Sequence, residues 1–122
     1  MITEQQLEQL VDRFYAKVRE DEVLGPVFNA AVQDWPEHLE KLTAFWSSVM
    51  LTTGRYKGNP MVAHLKHESV IEPAMFDRWL GLWRETASEV LDDAGAAAVA
   101  AKAERIAESL QLGMFFKLQP AA

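Results

Sequence analysis

The spacing of apolar residues constrains this chain more than any other feature. Leu7, Leu10, Val11, Phe14, Tyr15 and Val18 fall at i, i+3, i+4, i+7, i+8 and i+11, the stripe of one helix face. The same kind of spacing returns in later segments, whereas the period-two alternation of a half-buried strand is weak throughout. No strand–helix alternation is present from which a parallel sheet could be built, so the expected class is all-α.

Local signals divide the chain. Thr3 followed by Gln6 has the form of a capping box and opens the first helix. Its pattern breaks near Asp21, and Leu24-Gly25-Pro26 reads as a turn, with Val27, Phe28 and Val32 in a short helical piece after it. Asp34 is the expected N-cap of a helix running to about Thr52, with Pro36 in the first turn, where its missing N–H costs nothing. On that helix His38, Leu42, Phe45 and Val49 share one stripe, and Trp35, Leu39, Trp46 and Met50 its neighbour. So wide an apolar face predicts burial between layers. Thr53-Gly54 and Lys57-Gly58-Asn59-Pro60 interrupt regular structure, and only a short helix or irregular segment fits Met61 to Val70. Glu72-Pro73 opens another helix with Phe76, Trp79, Leu80, Trp83 and Ala87 inside. Asp92-Asp93 caps the last one, lined by Val99, Ala103, Ile106, Leu110 and Met114, and the tail from Gln119 to Ala122 is expected to fray.

Four substantial helices in 122 residues predict one domain spanning 1–122. No apolar run approaches the roughly 20 residues of a membrane span. Met1-Ile2-Thr3-Glu4 has neither the basic nor the apolar part of a secretory leader, so a cytoplasmic protein is expected. The absence of Cys removes disulfides, thiolate metal sites, Fe–S clusters and thiol nucleophiles together. The net charge is −6 and Lys and Arg are scattered, which argues against binding nucleic acid or an anionic membrane.

The chemistry narrows to histidine. There are three, and two lie in telling places: His64 in Tyr56-x-Gly58-x-Pro60-x-x-x-His64, and His38 on the apolar stripe with Leu42 and Phe45. A lone histidine after a loop is more often exposed or a cap. Here Pro60 stands one helical turn upstream, Met61 and Leu65 flank the ring, and an aromatic-rich helix follows. A neutral imidazole held in such a setting is a good axial ligand for haem iron, with its second N–H donated to a backbone carbonyl or a carboxylate. His67 is a rival ligand three residues on. His38 is either a satisfied histidine near a helix start or a group facing the iron from the other side, as a donor or a weak ligand. Tyr15 and Trp79 read equally as core residues or as phenol and indole donors aimed at a bound diatomic molecule. The chain holds no Gly-rich phosphate loop, no His-Glu-x-x-His, no Gly-x-Ser-x-Gly and no Glu-x-x-His pair for a di-metal bundle.

At these residues the chain resembles the truncated haemoglobins of group III over nearly its whole length. The resemblance rests on Phe14-Tyr15-x-x-Val18, Leu24-Gly25-Pro26-x-Phe28-Asn29, Trp35-x-x-His38, Phe45-Trp46, the Tyr56 to His64 segment, and Phe76-x-x-Trp79 with Trp83. Each is weak alone; their order and spacing together are specific. The missing Gly-Gly hinges of the other truncated groups suit the third. The resemblance implies a shortened globin, a two-over-two helical sandwich around haem b. It implies His64 as proximal ligand, and Tyr15, His38 and Trp79 as the distal set. Phe28 would stack on the haem, Phe14 and Leu42 would form the distal wall, and Tyr56 would lie near the propionate edge. Phe45 and Met61 complete the expected cofactor contacts.

Three functions compete. One is a haemoprotein that binds, scavenges or senses O₂, NO or CO. Another is a haem enzyme oxidising NO to nitrate, or acting like a peroxidase. It would need a partner reductase, since no flavin or nicotinamide motif is present. The third is a haem-free helical interaction protein. A monomer or weak dimer is expected.

Overall fold

The computed structural model describes residues 1–115, and the expected fraying of Gln119 to Ala122 lies outside them. Among the described residues all regular structure is helical: α1 (Glu4–Glu20), α2 (Leu24–Ala31), α3 (Trp35–Leu51), α4 (Pro60–Leu65), α5 (Pro73–Val90) and α6 (Asp93–Phe115). None of these helices is long and apolar enough to cross a membrane.

The capping box expected at Thr3 is formed: Gln6 N–H donates to Thr3 Oγ1 at 3.2 Å and Thr3 N–H to Gln6 Oε1 at 3.0 Å. The stripe predicted for α1 is its buried face, with Leu7, Leu10, Val11, Phe14 and Val18 fully buried and Tyr15 4 % exposed. Each aliphatic side chain on that face contributes about 1.5–3 kcal/mol relative to exposure. The face packs against α3 on one side and α5 on the other. α5 and α6, joined through Leu91 and Asp92, form the second layer, so two helices lie over two.

Trp83 ties the layers together. It is fully buried on α5, stacks on Trp46 of α3 at 4.3 Å between ring centroids, and meets Phe14 of α1 edge-on at 4.9 Å. Its indole N–H donates to the carbonyl of Val99 on α6 at 3.2 Å, so the polar atom of the most central side chain is satisfied. Lys17 on α1 pairs with Glu85 and Glu89 on α5 at the surface, an arrangement worth at most about 1 kcal/mol per pair.

Two expectations are corrected. Leu24-Gly25-Pro26 is not a turn before a helix but the first turn of α2 itself. Asp21 makes this possible, because its Oδ2 accepts from the N–H groups of Val23 and Leu24 at 3.0 and 2.9 Å, while Pro26 falls where an N–H has no helical partner. Gly25 lets α2 lie against the end of α1, since a Cβ there would sit 2.7 Å from the Arg19 carbonyl oxygen.

The second correction concerns α3. Its buried residues are Thr43, Trp46 and Ser47, whereas the stripe His38, Leu42, Phe45 and Val49 is only partly buried. That stripe was expected between helical layers; instead one apolar side of α3 is left incompletely covered by protein.

Candidate functional site

The segment from α3 to α4 explains the motif that ends in His64. α3 stops at Thr52, in the left-handed region at φ 58°, followed by Gly54 at φ 68°. Ser47 Oγ donates to Glu4 Oε1 at 2.6 Å and lies 2.8 Å from Thr53 Oγ1, while Arg55 reaches the same carboxylate oxygen at 2.8 Å. Ser48 Oγ donates to the Ala44 carbonyl and accepts the Tyr56 N–H at 2.8 Å. Tyr56 is thereby pinned to α3, with its ring edge-on to Phe45 at 5.2 Å. Gly58 leaves room for the ring in this position, because a Cβ there would come within 2.6 Å of the Tyr56 hydroxyl oxygen.

Asn59 then starts α4, its Oδ1 accepting from Met61 N–H at 3.0 Å and Val62 N–H at 3.4 Å, and Pro60 takes the first helical position. One turn later the Nδ1 of His64 lies 2.7 Å from the Pro60 carbonyl oxygen. A carbonyl only accepts, so the proton sits on Nδ1 and the Nε2 lone pair is left as a donor for a metal. His67, the rival, lies past the end of α4 in the turns that follow.

On the other side, the residues expected at the distal face come together. The Tyr15 ring meets Phe14 at 4.7 Å, Phe28 at 5.7 Å and His38 at 6.5 Å. Trp79 meets Phe14 edge-on at 5.4 Å and stacks parallel to Trp83 at 5.8 Å. Burial pushes the Tyr15 phenol well above its ordinary pKa, with the nearby Trp79 indole opposing, so it stays a neutral O–H donor at any ordinary pH. Burial also lowers the pKa of His38, helped by the Lys41 charge and, more weakly, by His64. That last influence brings the two histidines within electrostatic reach of each other.

The remaining expected residues fall near this region but not all in one contact set. Leu42 is one turn along from His38, partly buried. Phe45 packs on Trp46 as well as Tyr56. The end of the Met61 side chain lies against Gly113 of α6, where a Cβ would overlap it. Trp35, which was not singled out as a site residue, touches both Tyr15 and His38, at 6.1 and 5.7 Å. Its i, i+3 spacing from His38 was the available signal. Ser48 and Asn59 were also missed as parts of the site; an Asn before a Pro at a helix start was the signal for the latter.

A sequence pattern for the family described as "Bacterial-like globin" matches residues 2–111. The chain belongs to the bacterial-like globins. This globin is 32 % identical over 120 residues to "Group 3 truncated hemoglobin ctb" of Campylobacter jejuni subsp. jejuni serotype O:2, covering 95 % of this chain and 93 % of the relative. Its fold matches the crystal structure of a group III truncated haemoglobin from Campylobacter jejuni with a TM-score of 0.86 at 29 % identity, over 98 % of this chain and 97 % of the other. The expected group III truncated-haemoglobin fold is therefore borne out. Membership implies a haem-binding globin.

The residues present fit such a group. His64 offers one imidazole nitrogen whose partner nitrogen is anchored. Phe28, Leu42, Phe45, Val49 and Trp79 offer large apolar surfaces that the protein core leaves partly uncovered. Among the described residues no cluster of three His, Asp or Glu side chains could hold a bare metal ion instead.

Proposed function

We propose that this globin holds haem b through the Nε2 of His64 and binds O₂, NO, CO or similar ligands on the face lined by Tyr15, His38 and Trp79. The observation that carries the reading is the short hydrogen bond between His64 Nδ1 and the Pro60 carbonyl. It aims the ring and fixes its tautomer, leaving the other nitrogen free to hold iron. When bound, haem supplies an iron with an open position for a diatomic ligand.

The chain's own groups do the rest. Tyr15 is buried and kept protonated, so its O–H donates and does not ionise. The Trp79 indole lies near the same hydroxyl, and the pair would support a ligand that gathers negative charge. His38 stands edge-on to Tyr15 and is kept neutral by partial burial, leaving a ring N–H to donate. Phe14, Phe28 and Leu42 exclude water, which strengthens each of these hydrogen bonds.

The density of donors favours a second reading, turnover of the bound ligand, as in NO oxidation or peroxidase-like chemistry. Two hydrogen bonds to a charged acceptor, at about 1.5–3 kcal/mol each, retain a ligand too long for easy delivery. Turnover would draw electrons from a separate reductase. Absorption spectra of the ferric, ferrous and CO-bound protein test the first reading: a Soret band saturating at one haem per chain is expected, and a chain that stays colourless with haemin contradicts it. Rapid ferrous regeneration by a cellular reductase would favour the enzyme.

A further inference from the structure

The His38 ring is oriented by aromatic contacts, and their arrangement has a direction. Trp35 meets His38 at 5.7 Å with planes at 89°, and His38 meets Tyr15 at 6.5 Å with planes at 85°. Trp35 also touches Tyr15, at 6.1 Å, so the three rings close a triangle. Over Trp35 lies the guanidinium of Arg19, with Cζ 4.6 Å from the ring centroid.

Arg19 is held from behind. Its carbonyl accepts from Asn29 Nδ2 at 3.2 Å, and Gly25 allows α2 to press against the same carbonyl. Its backbone, in the last turn of α1, is therefore held against α2 while its exposed side chain spans to the first residue of α3. Neither Arg19 nor Trp35 has a role in the reading proposed above.

We infer that Arg19 and Trp35 are a positioning pair for His38: the guanidinium clamps the indole, and the indole holds the imidazole edge-on against Tyr15. Neither is a catalytic residue; both act on the ligand through His38. Clamped, the His38 ring narrows access past Tyr15 and keeps its donor in one orientation. Released, Trp35 swings away, His38 loses its neighbour, and a ligand meets a wider, less polar route. The inference rests on the haem reading, because the ring it positions is the one facing the proposed ligand site.

The test uses the haem-loaded full chain with carbon monoxide as probe, read by the C–O stretching band and the CO association rate. In the parent a single band, lowered by a nearby donor, is expected. Arg19→Gln and Trp35→Ala should each add a second band at higher wavenumber and raise the association rate about two- to five-fold, the equivalent of one exposed cation–π contact. Arg19→Lys and Trp35→Phe, which keep a cation and a ring, should largely restore the parental band and rate. In a His38→Leu background both effects should vanish, because the ring being positioned is gone. Unchanged band and rate in Arg19→Gln and Trp35→Ala would overturn the inference, as would effects that persist without His38. Failure of the haem reading looks different, since no Soret band and no C–O band would then form in any variant.

Discussion

The ring of Tyr56 lies directly over Gly58, so closely that a Cβ at Gly58 would fall 2.6 Å from its hydroxyl oxygen and 2.8 Å from the ring carbon that bears it. The two residues lock the turn that delivers the chain from α3 to α4, and Ser48 holds the other end of Tyr56. Replacing Gly58 by Ala requires the Tyr56 ring to shift. The expected result is a loss of up to about 1 kcal/mol, at or below the lower end of the range for overpacking a core, because Gly58 is exposed and the ring is only partly buried. Haem transfer to a scavenging apoglobin should also quicken. Parental urea midpoint and transfer rate together would show that the ring moves aside at no cost.

Asn59 is the cap on the short helix that carries His64. Asn59→Ala removes the acceptor for two N–H groups, at about 1 kcal/mol, in a segment too short to be helical without help. The loss should appear in haem affinity more than in global stability, because α4 contributes no fully buried residue. Equal haem dissociation rates for parent and variant would mean that Pro60 and the packing of Met61 on α6 suffice.

Tyr15→Phe keeps the buried ring and deletes the O–H. O₂ dissociation should then accelerate about ten-fold or more, the equivalent of one hydrogen bond to a charged acceptor. Stopped-flow rates matching the parent's would remove Tyr15 from the ligand's neighbours.

Asp21 links acid stability to the fold. The Arg78 guanidinium, at 2.7 Å, holds its carboxyl below the usual range; partial burial opposes this, and the N–H groups of Leu24 and Val23 assist. A carboxyl depressed in the folded state stabilises above its unfolded pKa of about 3.9 and loses that contribution as pH falls through the folded value. Asp21→Ala should therefore cost about 1–2 kcal/mol at pH 7, the upper range for a lost cap, with a shrinking difference from the parent below about pH 4. Urea titrations at pH 7 and pH 3 check this; a pH-independent difference would assign the effect to shape alone.

Much of this architecture was legible because helices write their buried face into the sequence. The α1 stripe, the Thr3 box, the Asp34 cap and Pro73 all appear where periodicity and capping chemistry put them. Leu24-Gly25-Pro26 misled because Gly and Pro usually break helices, and the residue that lets one begin there, Asp21, acts through a side chain bonded two and three residues ahead. The half-covered stripe of α3 misled for a different reason: a sequence tells an apolar face from a polar one, but not what fills the space beside it. The site followed the same division. His64 stood out by its motif. Trp35 had only its i, i+3 spacing from His38 to mark it, because its contact with Tyr15 and its Arg19 cover arise only when α1 and α3 meet.

The proposed bond between His64 and haem iron is tested most directly by cutting the imidazole free of the backbone. His64→Gly should lose the iron–histidine stretching line from the ferrous resonance Raman spectrum and release haem readily. Added imidazole, occupying the vacated volume, should restore both the line and haem retention. A His64→Gly protein that keeps the parental line and holds haem without imidazole would contradict the account and move the ligand to His67.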